Sequence, residues 1–216
     1  KQHSGRYRSR PVCREIKRAK KAEDRLDPAD VFSAMPPVES LKLLLSEWMT
    51  PTGNDDHRDY VLANFDISRA HFEAQQDKRK VYAKLPEGFE KPGHVAMLLR
   101  AMYGTEDAAH VWGETWAKQL EVHGIVIGTA SRALFRGERH RGLCHGDDFL
   151  VLCRRGHLAE FRQVLEEKFE AKLGSILGFG HSDDKVMEIL NREIRIRDDT
   201  TLELEADQRH VKKLLK

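Results

Sequence analysis

An α+β fold with a central antiparallel sheet packed on helices is what this sequence predicts, on three observations. Apolar segments of strand length and amphipathic segments of helical period mix along the chain, without the strict alternation that builds a parallel sheet. Residues 133–153 read as strand, turn, strand, tight turn, strand, which is the order of antiparallel hairpins. The tight turn holds two adjacent acids, Asp147 and Asp148, and a separate apolar strand ends in a third, Asp66.

Taken in order, residues 1–25 carry ten Lys and Arg against Glu15, Glu23 and Asp24, a local balance of +7. The whole chain is at +2, so the remainder is acidic by five charges. A basic arm over 1–25, leading into a body over 26–216, suits a polyanion whose phosphates need neutralising. A solvated tail has the same composition, and charge alone does not separate the two readings. Residues 31–37 end in two prolines and read as extended or turn structure. Over 39–49, Leu41, Leu44, Leu45, Trp48 and Met49 recur at three- and four-residue spacing, predicting an amphipathic helix. A polar turn cluster at 51–56 precedes the buried strand 60–65, with Asp66 at its end. Residues 81–85 form a short strand, followed by turn signals at Pro86, Gly88 and Pro92-Gly93.

A helix over 106–123 places Ala109, Trp112, Trp116, Leu120 and His123 on one face. That shared apolar face makes the two tryptophans core residues rather than platforms for bases. After the hairpins, a helix over 157–168 turns Leu158, Phe161 and Leu165 inward, with Phe169 just beyond it. Residues 174–184 read as a Gly-rich polar loop, 186–196 as one strand, and 208–216 as a short helix.

At 216 residues the chain is long enough for one well-buried domain, and its 33% charged content implies a polar surface. No run approaches the 18 or so apolar residues of a membrane span, and the first residues lack the apolar core of a secretory signal. Three cysteines without a CxxC pair are no disulfide framework, so a reducing intracellular setting is expected. The chain does not begin with Met, which suggests a piece of something longer.

The three aspartates carry the chemistry. Joining a hydroxyl to a phosphate with two divalent ions roughly 3.5–4 Å apart needs a few carboxylates on rigid strands, with positions left open for substrate. One acid ending a strand and two in the turn of a neighbouring hairpin meet that need. The pairs Asp55-Asp56, Asp183-Asp184 and Asp198-Asp199 lack such flanking strands and read as turns. Zinc is a different possibility, through His140, Cys144, His145 and Cys153, but their spacing matches no common zinc motif.

Several ordered segments then resemble the reverse transcriptases of copia-type retrotransposons. Asn64-Phe65-Asp66-Ile67-Ser68-Arg69-Ala70-His71-Phe72 is similar to that family's first catalytic motif. Val81-Tyr82-Ala83-Lys84-Leu85-Pro86-Glu87-Gly88-Phe89 resembles its Y-M-x-x-P-E-G-F segment, and Arg100-Ala101-Met102-Tyr103-Gly104 its K-S-L-Y-G. Gly146-Asp147-Asp148 stands at its Val-Asp-Asp, and Lys168-Phe169-Glu170-Ala171-Lys172-Leu173-Gly174 resembles K-F-x-M-x-D-L-G. Upstream, the segment from Arg8 to Arg14 resembles a basic stretch of the fingers.

The resemblance implies a fingers–palm fold and an RNA-directed DNA polymerase using two Mg²⁺ or Mn²⁺ ions. Asp66, Asp147 and Asp148 would be the catalytic metal ligands. Arg8, Arg10, Arg14, His71 and the backbone around Ile67 would meet the incoming deoxynucleoside triphosphate, where a planar guanidinium suits bidentate contacts. Tyr103, Gly104, His145 and Gly146 would lie along an RNA or DNA template–primer. It further implies no membrane partner, a cytoplasmic particle or the nucleus as location, and a thumb, an RNase H domain and an integrase outside this chain.

Three departures from the family pattern matter. The aromatic that excludes a 2′-hydroxyl is His71, with Phe72 beside it as a substitute. The Tyr-Val before the paired acids is His145-Gly146. Glu106 and Asp107 stand where the family carries Lys-Gln, and acids near a phosphate path repel it. These changes suit a second reading, a degenerate or repurposed polymerase fold that binds nucleic acid without catalysis. The Gly-Asp-Asp of viral RNA-directed RNA polymerases is a weaker match, because Ala70 and His71 stand where those carry a second acid.

Overall fold

The computed structural model describes residues 11–15, 23, 25–206 and 213. In chain order the elements are α1 (Pro28–Val31), α2 (Val38–Met49), β1 (Tyr60–Ile67), α3 (Ala70–Glu73), β2 (Val81–Ala83), β3 (Ala96–Leu98) and α4 (Ala108–Val122). There follow β4 (Val126–Ile127), β5 (Leu134–Arg136), β6 (His140–His145), β7 (Asp148–Arg154), α5 (Leu158–Glu166), β8 (Ala171–Gly178), β9 (Val186–Ile189), β10 (Arg192–Asp198) and β11 (Thr201–Leu204). The class is α+β with antiparallel sheets, as expected. The chain divides into two units, one made of residues up to Ser33 with Arg69–Trp116, the other of Ala34–Ser68 with Ala117 onward.

The second unit is built on a six-stranded sheet in the order β4-β5-β6-β7-β1-β8. Strand β1 lies inside it because its alternate residues are apolar on both faces, which a strand at the edge of a one-sided sheet does not need. Val61, Ala63, Phe65 and Ile67 point one way and are fully buried. On that face Phe65 and Phe135 meet Phe161 of α5, with ring centroids 5.8 and 5.4 Å away. On the opposite face Leu62, Leu143, Leu150, Leu152 and Leu177 pack with Leu41, Leu44, Leu45 and Trp48 of α2. The small sheet β11-β10-β9 adds Met187, Ile189, Ile194 and Ile196 to the same cluster. The α2 stripe is the one that the three- and four-residue spacing predicts.

The first unit holds the hairpin β2–β3, α1, α3 and the start of α4 through Trp116. Trp112 and Trp116 are buried there, in keeping with their reading as core. Among the described residues no helix is long and apolar enough to cross a membrane.

The main differences from the sequence expectations fall in the second half of the chain. The expected loop at 174–184 is strand as far as Gly178, because residues 171–178 pair along the free side of β1 and bury Leu177. The expected single strand at 186–196 is a hairpin. Leu190 and Asn191 both have positive φ, 52° and 58°, which is the pattern of a tight two-residue turn, and only Asn191 carries a turn signal. The polar stretch 137–142 is half strand, because His140 is buried with Nε2 2.9 Å from the His157 carbonyl. His123 lies beyond α4 and pairs with Glu167 at 2.8 Å instead of facing a core. The expected helix at 208–216 lies outside the described residues apart from residue 213.

Candidate active site

The acid-bearing end of the sheet follows from strand register. In the β1–β7 ladder Asp66 stands directly opposite Asp148, and in the β6–β7 ladder His145 stands opposite the same Asp148. On the other side of β1, Asp66 is opposite Lys172 of β8. Residues directly opposite in antiparallel strands share a face. His145, Asp148, Asp66 and Lys172 therefore form one transverse row across four strands. Asp66 has the parity of Leu62, so the row lies on the face that α2 covers further along the sheet.

Asp147 is held by the turn. His145 and Asp148 pair across a connection of two residues, Gly146-Asp147, with Gly146 at φ 65°. Positive φ at the first central residue alone is what a type II′ hairpin turn requires, and glycine supplies it without strain. The Asp147 carbonyl accepts from Ile67 N–H at 2.9 Å, tying the turn to the end of β1. Beneath it, the buried Cys144 thiol lies 3.5 Å from the Gly146 carbonyl.

The electrostatics set Asp148 apart. Burial raises its pKa, and the neighbouring Asp147 and Asp66 raise it further, against a smaller opposing effect of His145. Among the described residues none of the three aspartates takes part in an ion pair. This crowding of negative charge suits a hard cation with oxygen ligands. Among the described residues no group of three or more His, Cys, Asp or Glu side chains is placed to hold a metal ion. The register brings two acids face to face with a third in the adjoining turn, and an ion bound there would have to take further ligands from substrate phosphates and water.

The zinc alternative finds no such support. Cys144 and Cys153 are buried, and burial raises both thiols, Cys153 to about 12.

The other residues singled out by sequence are distributed as follows. Ile67 is fully buried, its N–H is engaged by Asp147, and the Ser68 N–H donates to the Glu170 carbonyl at 2.9 Å. Neither amide is open to a phosphate in this arrangement. His71 belongs to the first unit, its ring 4.3 Å from that of Tyr103, with Phe72 edge-on to the same tyrosine at 5.6 Å. Tyr103 and Gly104 receive the segment 11–15, since Cys13 N–H donates to the Tyr103 carbonyl at 2.7 Å and Glu15 N–H to that of Gly104 at 3.3 Å. Gly104 has φ 88°, and a Cβ there would lie 1.9 Å from the Cys13 carbonyl oxygen. Arg14 is exposed, whereas Arg8 and Arg10 lie outside the described residues.

One of the two acids expected to repel phosphate, Asp107, turns out to have an internal partner. Asp107 is 5% exposed and accepts from Arg79 at 2.7 and 3.1 Å and from Gln76 at 2.7 Å. Arg79 also donates to Glu15 at 2.8 Å, and Glu15 accepts from the Glu106 N–H at 2.8 Å. Burial pushes the Asp107 carboxyl upward, but the hydrogen bonds from Arg79 and Gln76 outweigh it and leave the pKa lowered. A single basic residue 28 positions away thus answers the acid, which no local motif reveals. Lys172 was likewise missed as a neighbour of the acids, because only the β1–β8 register brings it opposite Asp66.

A family model described as reverse transcriptase (RNA-dependent DNA polymerase) matches residues 1–180. The chain belongs to the reverse transcriptase family. No curated protein sequence matches it. Among solved structures, telomerase from Candida tropicalis is similar at 11% identity and a TM-score of 0.47, over 81% of this chain and 41% of that one. Telomerase from Candida albicans, in complex with a fragment of telomeric RNA, is similar at 8% identity and the same TM-score, over 83% and 35%. This reverse transcriptase chain therefore spans about two fifths or less of those proteins.

Proposed function

We propose that this chain is the polymerising part of a copia-type retrotransposon reverse transcriptase, an RNA-directed DNA polymerase. The observation that supports the reading most is the register that sets Asp66 opposite Asp148 with Asp147 in the adjoining turn. The three carboxylates are assigned to two Mg²⁺ or Mn²⁺ ions. When bound, such ions lower the pKa of an attacking 3′-hydroxyl and neutralise the charge of a departing pyrophosphate.

The chain's own contribution is position and charge. Asp66 and Asp148 sit on paired strands backed by a close-packed core, so their separation is held by the ladder rather than by flexible side chains. The Ile67–Asp147 hydrogen bond keeps the third acid beside them. The imidazole of His145 and the ammonium of Lys172 end the row, leaving the acids between two groups able to hydrogen-bond substrate oxygens. By family resemblance, Arg8, Arg10, Arg14 and His71 are assigned to the deoxynucleoside triphosphate, whereas the Ile67 amide, taken by the Asp147 carbonyl, is left out of that set. On the same basis Tyr103, Gly104, His145 and Gly146 are assigned to the template–primer. The remaining domains of a polyprotein, RNase H and integrase, belong to the same proposal, as does a cytoplasmic particle or nuclear location.

The test is extension of a DNA primer on an RNA template with Mg²⁺ or Mn²⁺, using Asp147→Asn as control. Metal-dependent product is expected from the natural chain, with a loss of at least about a hundredfold in the variant, the scale of removing one charge-stabilising group from an active site. Hybrid binding without product, repeated in a longer chain that includes the following residues, would leave the nucleic-acid-binding module as the reading.

A further inference from the structure

The hairpin β2–β3 of the first unit presents an outer face that the acid site does not use. Tyr82 stands opposite Met97 in its ladder, so the two side chains share a face, and they are 59% and 48% exposed. Lys80 and Lys84 flank β2 directly, each two positions from Tyr82, and Val95 and Leu99 flank β3, each two positions from Met97, which is the spacing of one strand face. All four are exposed, Val95 by 60% and Leu99 by 71%. None of the six positions is acidic. Among the described residues neither lysine takes part in an ion pair. In the loop joining the strands, Glu90 is turned onto the Gly88 N–H at 3.0 Å.

An exposed apolar patch of this kind marks a surface that something covers. Its composition selects the occupant. Protein interfaces are rich in Tyr and Met but depleted in Lys at their centre, whereas here an ammonium stands on each side of the aromatic ring. A flat π-face with flexible cations two residues before and two after it is the arrangement that takes a base by stacking and its neighbouring phosphates by charge. Met and Leu beside the ring extend the apolar platform without adding hydrogen-bond readout, so sequence preference is expected to be weak.

We infer that the outer face of the β2–β3 hairpin binds a single strand of RNA or DNA, with Tyr82 stacking on a base and Lys80 and Lys84 meeting the adjacent phosphates. This rests on the polymerase reading in one respect, that an unpaired template strand is the occupant in use.

The experiment is fluorescence anisotropy of the full chain with labelled oligo-U and oligo-dT, over a range of salt. Tyr82→Ala is expected to weaken binding by about 5- to 150-fold, the range for losing one base–aromatic stack, while Tyr82→Phe stays within about twofold. The double variant Lys80→Gln, Lys84→Gln is expected to lower the magnitude of the salt slope by about 1.4, two single-strand phosphates' worth. Equal effects on both oligonucleotides identify a strand-general site, and a larger effect on one names the preferred strand. Unchanged affinity and salt slope in these variants would overturn the inference. So would substitutions that dissolve a self-associated form of the chain, read by sedimentation, while leaving oligonucleotide affinity intact. The natural chain keeps the two questions apart, because primer extension and oligo-U binding are read on it separately. Failed extension by the natural chain with retained Tyr82-dependent binding sinks only the polymerase reading.

Discussion

Two clusters of carboxylates in this protein are treated in opposite ways. In the first unit Glu15 and Asp107 close around Arg79, and hydrogen bonds hold Asp107 below its ordinary pKa despite burial. In the second, Asp66, Asp147 and Asp148 share the end of a sheet with no guanidinium paired to them among the described residues, and Asp148 is pushed upward by burial and by its acidic neighbours. The functional group is the same. What differs is whether the fold supplies the counter-charge. Where it does, the acids become part of the structure; where it withholds it, their mutual repulsion remains, and the proposed metal ions would relieve it.

The contrast can be broken most forcibly at Arg79. Replacing it by Met leaves Glu15 and the buried Asp107 without their partner, and a loss of about 3 kcal/mol in unfolding free energy is expected by urea denaturation. An unchanged midpoint would show that the first cluster is not neutralised as described. Next in size is the response to cation. Mg²⁺ or Mn²⁺ at a hundredfold excess over its dissociation constant should stabilise the natural chain by about 2.7 kcal/mol, and Asp148→Asn should remove most of that gain in thermal melts.

The smallest effect has the more telling sign. Without divalent ions, Asp148→Asn should stabilise the chain by about 0.2–1 kcal/mol at neutral pH, since it relieves like charges directly opposite one another. A carboxyl raised in the folded state contributes stability at low pH and loses it as pH rises through the titration. The advantage of the Asn variant should therefore vanish below about pH 4, the ordinary aspartate range. Asp107 runs the other way: its lowered pKa gives stability above the unfolded value, lost as pH falls through the folded one. Urea titrations of the two Asn variants should show pH slopes of opposite sign.

Much of the site was legible before any coordinates. Strand β1 showed itself by an apolar run that ends in an acid, and α2 and α5 by their period, because those signals are local in the chain. The hairpin at Asp147 was legible through the paired acids between apolar strands, with Gly146 free to take positive φ. The part of the chain after residue 170 was not. Strand β8 looks like a loop because its glycines lower the local strand signal, and it is a strand only because β1 offers it an unpaired edge.

By itself, then, the sequence determined the α+β class, the principal helices and strands of the larger unit, and which three aspartates to watch. Tertiary structure alone decided that Asp66 faces Asp148 and Lys172, that Asp107 is answered by Arg79, and that Tyr82 lies on an open face between two lysines. The physical reason is range. Periodicity and turn chemistry act over a few residues. Neutralisation, register and exposure depend on partners tens of residues away, and these meet only when the chain has folded.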